Sequence, residues 1–434
     1  MSINWLTQVG LPGRAEREFS IFVSFIFNHG IRMDKSILAN RIVSMKASAT
    51  LEMTSKSRAL KEKGIDVIAL SIGEPDFNTP QHIKDAGKKA IDDNITHYPP
   101  VPGFQELKKV IANKFKRDNG LDFNASQVVV SNGAKQSIAN VLMCILNPGD
   151  EVIIPTPYWV SYPSMVELGQ GTSVFVRTTI GDDFKVTPEQ VRAAITPRTK
   201  AFLFSSPSNP TGSVYTREEL EALAEVFRPY PNIVIISDEI YEYNIFSGDF
   251  HSIASFPFVK EQTVVVNGVS KGFAMTGWRI GYIAAPQVIA DACSKLQGQY
   301  TSGAGTISQM AALEAINTPP ESSEEVREMV RSFLERRDFL IGLLKDVPGV
   351  KTNVPNGAFY LFPDFSYYFG RSNGAVTIRN STDLCLHLLD KAHVALVPGE
   401  AFGSPECIRI SYAASKDHIR EAVNRIKPVL AELK

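Results

Sequence analysis

Short apolar runs rich in valine and isoleucine recur along the chain, and between them lie stretches whose apolar positions return every three or four residues. The first pattern belongs to strands buried on both faces, the second to amphipathic helices. On this basis strands fall at 66–72, 128–130, 151–154, 173–177, 201–204, 233–237, 264–266 and 279–284. Helices fall at 38–64, 80–92, 104–117, 158–168, 188–194 and 217–227, with another after Ser131-Asn132-Gly133-Ala134. Strands alternating with helices predict an α/β domain around a mostly parallel sheet. Past a charged helix at 324–345 the texture changes. Short strands at 358–362, 394–397 and 408–412 and a terminal helix predict a smaller α+β domain.

Polar groups cluster where these apolar runs end, the place where α/β folds gather their ligands. Val264, Val265 and Val266 lead into a turn holding Ser270 and Lys271, with Arg279 eight residues later. A lysine desolvated there becomes a nucleophilic amine, and the serine and arginine suit an anion such as phosphate. A solvated surface lysine is the plainer account, since lysines are rarely buried. Gly133, Ala134 and Lys135 open a helix, whose free amides and dipole attract anions; glycine as turn punctuation is the alternative. Lys135 opposes the dipole there, which an anionic ligand would explain as well as a solvated side chain would. Asn209, in SPSNPTG, sits in a turn that its prolines fix. Asp238 ends an apolar run with Tyr241 after it, and either caps a helix or holds a heteroaromatic nitrogen protonated. Arg409 alternates with Ile408 and Ile410; it is an exposed strand arginine or a fork for a carboxylate. Trp159 is a core aromatic or a flat platform for a ring.

Composition removes several function classes. At 434 residues the chain exceeds one ordinary core. A net charge of −1 gives no general pull toward nucleic acid or membrane. No apolar run reaches the roughly 18 residues that span a bilayer, although FSIFVSFIF at 19–27 has the look of a signal-peptide core without a cleavage site. Residues 1–32 are expected to be a non-catalytic extension, with Met33 opening the folded part. The four scattered cysteines fit reduced thiols in a cytoplasmic protein, and the seven histidines show no metal-ligand spacing. No G-x-G-x-x-G follows a strand, which disfavours a nicotinamide enzyme.

A lysine for an imine, an aspartate for a ring nitrogen, a phenol, and an anion site match one molecule, pyridoxal phosphate. From Met33 to its end the chain resembles the class I aminotransferases of fold type I, near the bacterial aspartate aminotransferases. The motifs are SNPTG (208–212), SDEIY (237–241), SKGFAMTGWRIGY (270–282) and RISYA (409–413). The resemblance implies a large cofactor-binding domain at 77–318, helices on both sheet faces, and a small domain built from 33–76 and 319–434. It implies that Lys271 links to pyridoxal 5′-phosphate and shuttles the proton, Asp238 holds the pyridinium, and Tyr241 and Asn209 bond the ring hydroxyl. Gly133, Ala134, Lys135, Ser270 and Arg279 would take the phosphate, and Trp159 would stack on the ring. Arg409, helped by Asn209 and Gly73, would bind the substrate α-carboxylate. Tyr98 would reach a neighbour's phosphate across a homodimer interface. Lys135 is associated in this branch with the side-chain carboxylate of aspartate and glutamate. Lys46 matches a position some relatives use for prephenate, a plain helix-surface charge being the other account. The expectation is therefore ping-pong transamination between aspartate or glutamate and 2-oxo acids. Alternatives are a dual aspartate/prephenate enzyme, an aromatic- or alanine-type aminotransferase, or a C–S lyase. A DNA-binding regulator with an aminotransferase-like domain is the reading from another class, and residues 1–32 are too short and too apolar to supply its helix-turn-helix.

Overall fold

The strand Thr263–Gly268 (β7) carries TVVVNG with every residue buried, as its unbroken apolar run requires. It lies inside a seven-stranded sheet of order β2-β8-β7-β6-β5-β3-β4. The others are Val128–Ser131 (β2), Glu151–Thr156 (β3), Thr172–Arg177 (β4), Thr199–Ser205 (β5), Val234–Asp238 (β6) and Gly281–Ala284 (β8). The strands β4, β3, β5, β6 and β7 pair in parallel, while β8 runs antiparallel to both β7 and β2. The computed structural model describes residues 37–45 and 49–434; the 1–32 extension and Lys46 lie outside the described residues.

Alternate residues of each strand point to opposite faces, and the packing follows that rule. Val129, Val264, Val266 and Ile236 join one apolar core with Ile138 and Leu142 of the helix Ala134–Ile145 and Cys293 of the helix Gln287–Tyr300. Val128, Val130 and Val265 join another with Leu107 and Ile111 of the helix Gln105–Asn119 and Ala311 of the helix Thr306–Asn317. Ile153, Phe202 and Ile235 pack with Leu220 and Leu223 of the helix Arg217–Phe227. Helices therefore cover both faces.

A second set of strands forms elsewhere. Ile68–Ala69 (β1) pairs in parallel with Val394–Ala395 (β10), while Val397–Pro398 (β11), Ile408–Ser411 (β12) and Tyr360–Leu361 (β9) make a three-stranded antiparallel sheet. Met53, Val67 and Leu70 share an apolar core there with Phe333, Leu388 and Ile426.

Several expected bounds are corrected. The 66–72 strand shrinks to β1, the 394–397 strand divides between two sheets, and the long 38–64 helix contains the separate helices Asn40–Val43 and Ala49–Glu62. All of 37–44 is exposed. The helices Gln287–Tyr300, Thr306–Asn317 and Ser381–Lys391 were not anticipated. Among the described residues, no helix is long and apolar enough to cross a membrane, and no cluster of three or more histidine, cysteine or carboxylate side chains has the makings of a metal site.

Candidate active site

Strand direction decides which side chains meet. Because β8 is antiparallel to both neighbours, β2 and β7 run the same way, and the carboxyl ends of β2, β5, β6 and β7 share one edge. The register sets Gly281, the first residue of β8, opposite both Ser131 and Gly268. Arg279, just before β8, thus arrives at the edge where Asp238, Ser270 and Lys271 stand. A cavity of about 540 Å³ opens there, within the range of small-molecule sites.

Lys271 is partly buried, and its Nζ donates to the Gly73 carbonyl at 2.5 Å. Burial lowers its pKa to about 8; Arg409 and Arg279 push the same way, and the Glu74 and Asp238 carboxylates oppose. The ammonium is thereby brought close to a nucleophilic amine near neutral pH. Asp238 is 4% exposed and accepts a 2.7 Å hydrogen bond from the Tyr162 hydroxyl and a 3.3 Å bond from the Ile240 amide. Burial raises its pKa to about 6, with those bonds and Lys271 pulling it down. The helix-cap account fails: residues 240–243 form a turn, not a helix.

Gly133 caps the helix Ala134–Ile145 at φ 88° and ψ 158°, a region essentially reserved for glycine. A side chain there would run into the Arg279 guanidinium. The first amides of any helix lack intrahelical acceptors, so those of Ala134 and Lys135 open on to the cavity beside Arg279. Arg279 itself, at φ 56°, donates to the carbonyls of Thr276 at 2.9 Å and Asn132 at 3.2 Å. Lys135 hangs 5.0 Å over the Trp159 ring. Partial burial and then the Arg279 charge lower its pKa.

Of the two accounts of Arg409 the exposed one falls: it is 2% exposed. Its guanidinium donates to Asn209 Oδ1 at 3.0 Å and the Ser71 carbonyl at 2.8 Å, and lies 4.6 Å over the Tyr360 ring. Its Nε is buried without a partner. A buried cation with no carboxylate and a spare donor is costly unless an anion arrives.

The cavity gathers Gly73, Ala134, Lys135, Trp159, Asn209, Asp238, Tyr241, Ser270, Lys271, Arg279 and Arg409. Gly133 stands behind Arg279, and Tyr98, 96% exposed, does not line it. Sequence reasoning missed Tyr162 and Tyr360. The first bonds Asp238; the second bonds the Tyr241 hydroxyl at 2.8 Å. It also missed Thr54, Arg58 and Glu74 in the lining.

Donors of this kind fit pyridoxal phosphate: an amine of lowered pKa, a buried carboxylate for a ring nitrogen, and helix amides beside an arginine for a phosphate. The family model for aminotransferase class I and II matches residues 65–426. A bifunctional aspartate aminotransferase and glutamate/aspartate-prephenate aminotransferase of Petunia hybrida is 49% identical over 92% of this chain and 83% of its own. An aspartate aminotransferase of Geobacillus stearothermophilus is 47% identical, covering 90% of this chain and 98% of its own. The crystal structure of the aspartate aminotransferase from Rhizobium meliloti superposes with a TM-score of 0.88 at 41% identity, covering 92% and 99% of the two chains.

Proposed function

The chain belongs to the class I and II aminotransferases, and on that footing we propose that it exchanges amino groups between aspartate or glutamate and their 2-oxo acids by a ping-pong cycle on pyridoxal 5′-phosphate. The observation that carries this reading is that Lys271, Asp238, Asn209, Arg279 and Arg409 line one cavity. When bound, the cofactor supplies a protonated pyridine ring that accepts electrons from the substrate Cα.

The residues divide the work. Lys271 Nζ would anchor the cofactor covalently and, when free of it, would be the base that accepts the substrate Cα proton and gives it back. Asp238, steadied by Tyr162, keeps the ring nitrogen protonated. Tyr241 and Asn209 would hold the ring oxygen, and Trp159 would stack on the ring. Gly133, the amides of Ala134 and Lys135, Ser270 and Arg279 would hold the phosphate. Arg409 receives the α-carboxylate on its free donor, beside Asn209 and Gly73, and the Lys135 ammonium receives the distal carboxylate. Tyr98 reaches the phosphate of the other subunit in a homodimer. We assign residues 33–76 with 319–434 to a small domain and 77–318 to a large one, a division supported by the core that Met53 and Val67 share with Phe333 and Ile426. Unpaired cysteines support a cytoplasmic setting.

Purified protein should convert aspartate and 2-oxoglutarate to oxaloacetate and glutamate, and Lys271→Ala should lose roughly a thousandfold or more. Full turnover in that variant would sink the mechanism. Lys135→Ala should weaken aspartate more than alanine; equal losses would remove its role. The Petunia relative's bifunctional name favours a second reading in which prephenate is also an acceptor, so the same assay includes it.

A further inference from the structure

Five cations line the cavity: Arg58, Lys135, Lys271, Arg279 and Arg409. Among the described residues, two lining carboxylates, Glu74 and Asp238, stand against them. The proposed reaction uses four of the cations, for the imine nitrogen, the phosphate and two carboxylates. Arg58 remains.

Arg58 leaves the helix Ala49–Glu62 one turn after Thr54, and both side chains line the cavity. That spacing puts them on one helix face. Among the described residues, Arg58 makes no ion pair or hydrogen bond. Its natural partners are engaged elsewhere or unbridged. Glu52 pairs with Lys56 at 2.8 Å, Glu74 accepts from Thr276 at 2.9 Å, and Glu62, four residues on, is not joined to it. A guanidinium facing a ligand cavity without a counter-charge is a ready bidentate site for a carboxylate.

Ping-pong transamination makes a demand that one cation meets poorly. The same pocket must take four-carbon and five-carbon dicarboxylates, whose distal carboxylates differ by one methylene, a C–C bond of about 1.5 Å. Lys135 offers a point charge from beside the large sheet, stacked at 5.0 Å over Trp159. Arg58 offers an unrestrained fork from a different element. We propose that Arg58 is a second distal-carboxylate contact, joining Lys135 on five-carbon dicarboxylic substrates and left out of reach by four-carbon ones.

This inference rests on the transamination reading, and the test separates the two. Holoenzyme in wild-type, Arg58→Gln and Arg58→Lys forms is assayed for kcat/KM in half-reactions with glutamate, aspartate and alanine. Binding of the unreactive succinate and glutarate is measured by competition. Loss of a charge-assisted contact should cost Arg58→Gln roughly tenfold or more on glutamate and glutarate. Aspartate and succinate should fall less than about threefold, the size of a screened charge effect, and alanine should move least. Arg58→Lys should recover part of the glutamate loss. Equal losses on glutamate and aspartate, or an unchanged glutamate rate in Arg58→Gln, overturn the assignment while leaving transamination intact. A wild-type enzyme inactive toward every dicarboxylic donor removes the transamination reading, and this inference with it.

Discussion

Asp238 and Glu239 are consecutive buried acids with different surroundings. Asp238 faces the cavity, whereas the Glu239 carboxyl accepts from Ser237 at 2.9 Å and Ser252 at 2.6 Å and leaves Oε2 unpartnered. Burial raises Glu239 to about 8, with Glu242 adding to the rise and the two serine hydroxyls opposing. The folded state therefore keeps a proton that the unfolded chain releases near pH 4.5. Stability is full below that pH and is lost as pH climbs toward about 8, by up to ~1.4 kcal/mol per unit. Glu239→Gln, neutral throughout, should flatten the fall of Tm between pH 5 and 8; parallel slopes for the two proteins would refute the assignment. Lys271 and Asp238 were legible in the sequence because each follows an apolar run. Tyr162 and Tyr360 were not, because an aromatic inside a helix or a strand looks like core until a distant partner for its hydroxyl is known. For Arg409 the strand pattern left two accounts open, because alternation identifies the opposite face of a strand but not whether that face is wet. In β12 all four residues are buried.

Elements, more than side chains, set the geometry of the site. The antiparallel β8 brings Arg279 back to the edge where β7 ends, and Gly133 lets the next helix start against that guanidinium. Gly133→Ala should cost ~1–3 kcal/mol of backbone strain and displace Arg279. Pyridoxal phosphate affinity of the apoenzyme should drop about tenfold, equivalent to ~1.4 kcal/mol, as measured by titration. Unchanged affinity would show that the close approach does not serve the phosphate. Strands were largely placed by their apolar runs, down to Thr263–Gly268. The helix Thr306–Asn317 escaped because apolar residues surround it nearly all the way round, so it lacks the one-sided stripe that marks a surface helix. The break between β10 and β11 escaped because VALVP is one apolar run in the sequence, while its two halves pair with different strands.

At the scale of the whole molecule, Tyr98 is conspicuous: a tyrosine 96% exposed beside Pro99 and Pro100. In the proposed homodimer it would be covered and would reach the other subunit's phosphate. Sedimentation should find a dimer, and Tyr98→Phe should weaken cofactor binding without dissociating it. A fully active monomer would overturn both. The pairing of β1 with β10 has a consequence in time. Ile68 meets Val394, and a ribosome adding about 5–20 residues per second needs roughly 15–65 s to synthesise the intervening chain. Throughout that interval Ile68 and Ala69 have been made and the strand they pair with has not. Each new copy of the protein thus begins life with an apolar segment waiting to be covered, and keeping that segment from other chains until synthesis nears its end becomes a task for the cell.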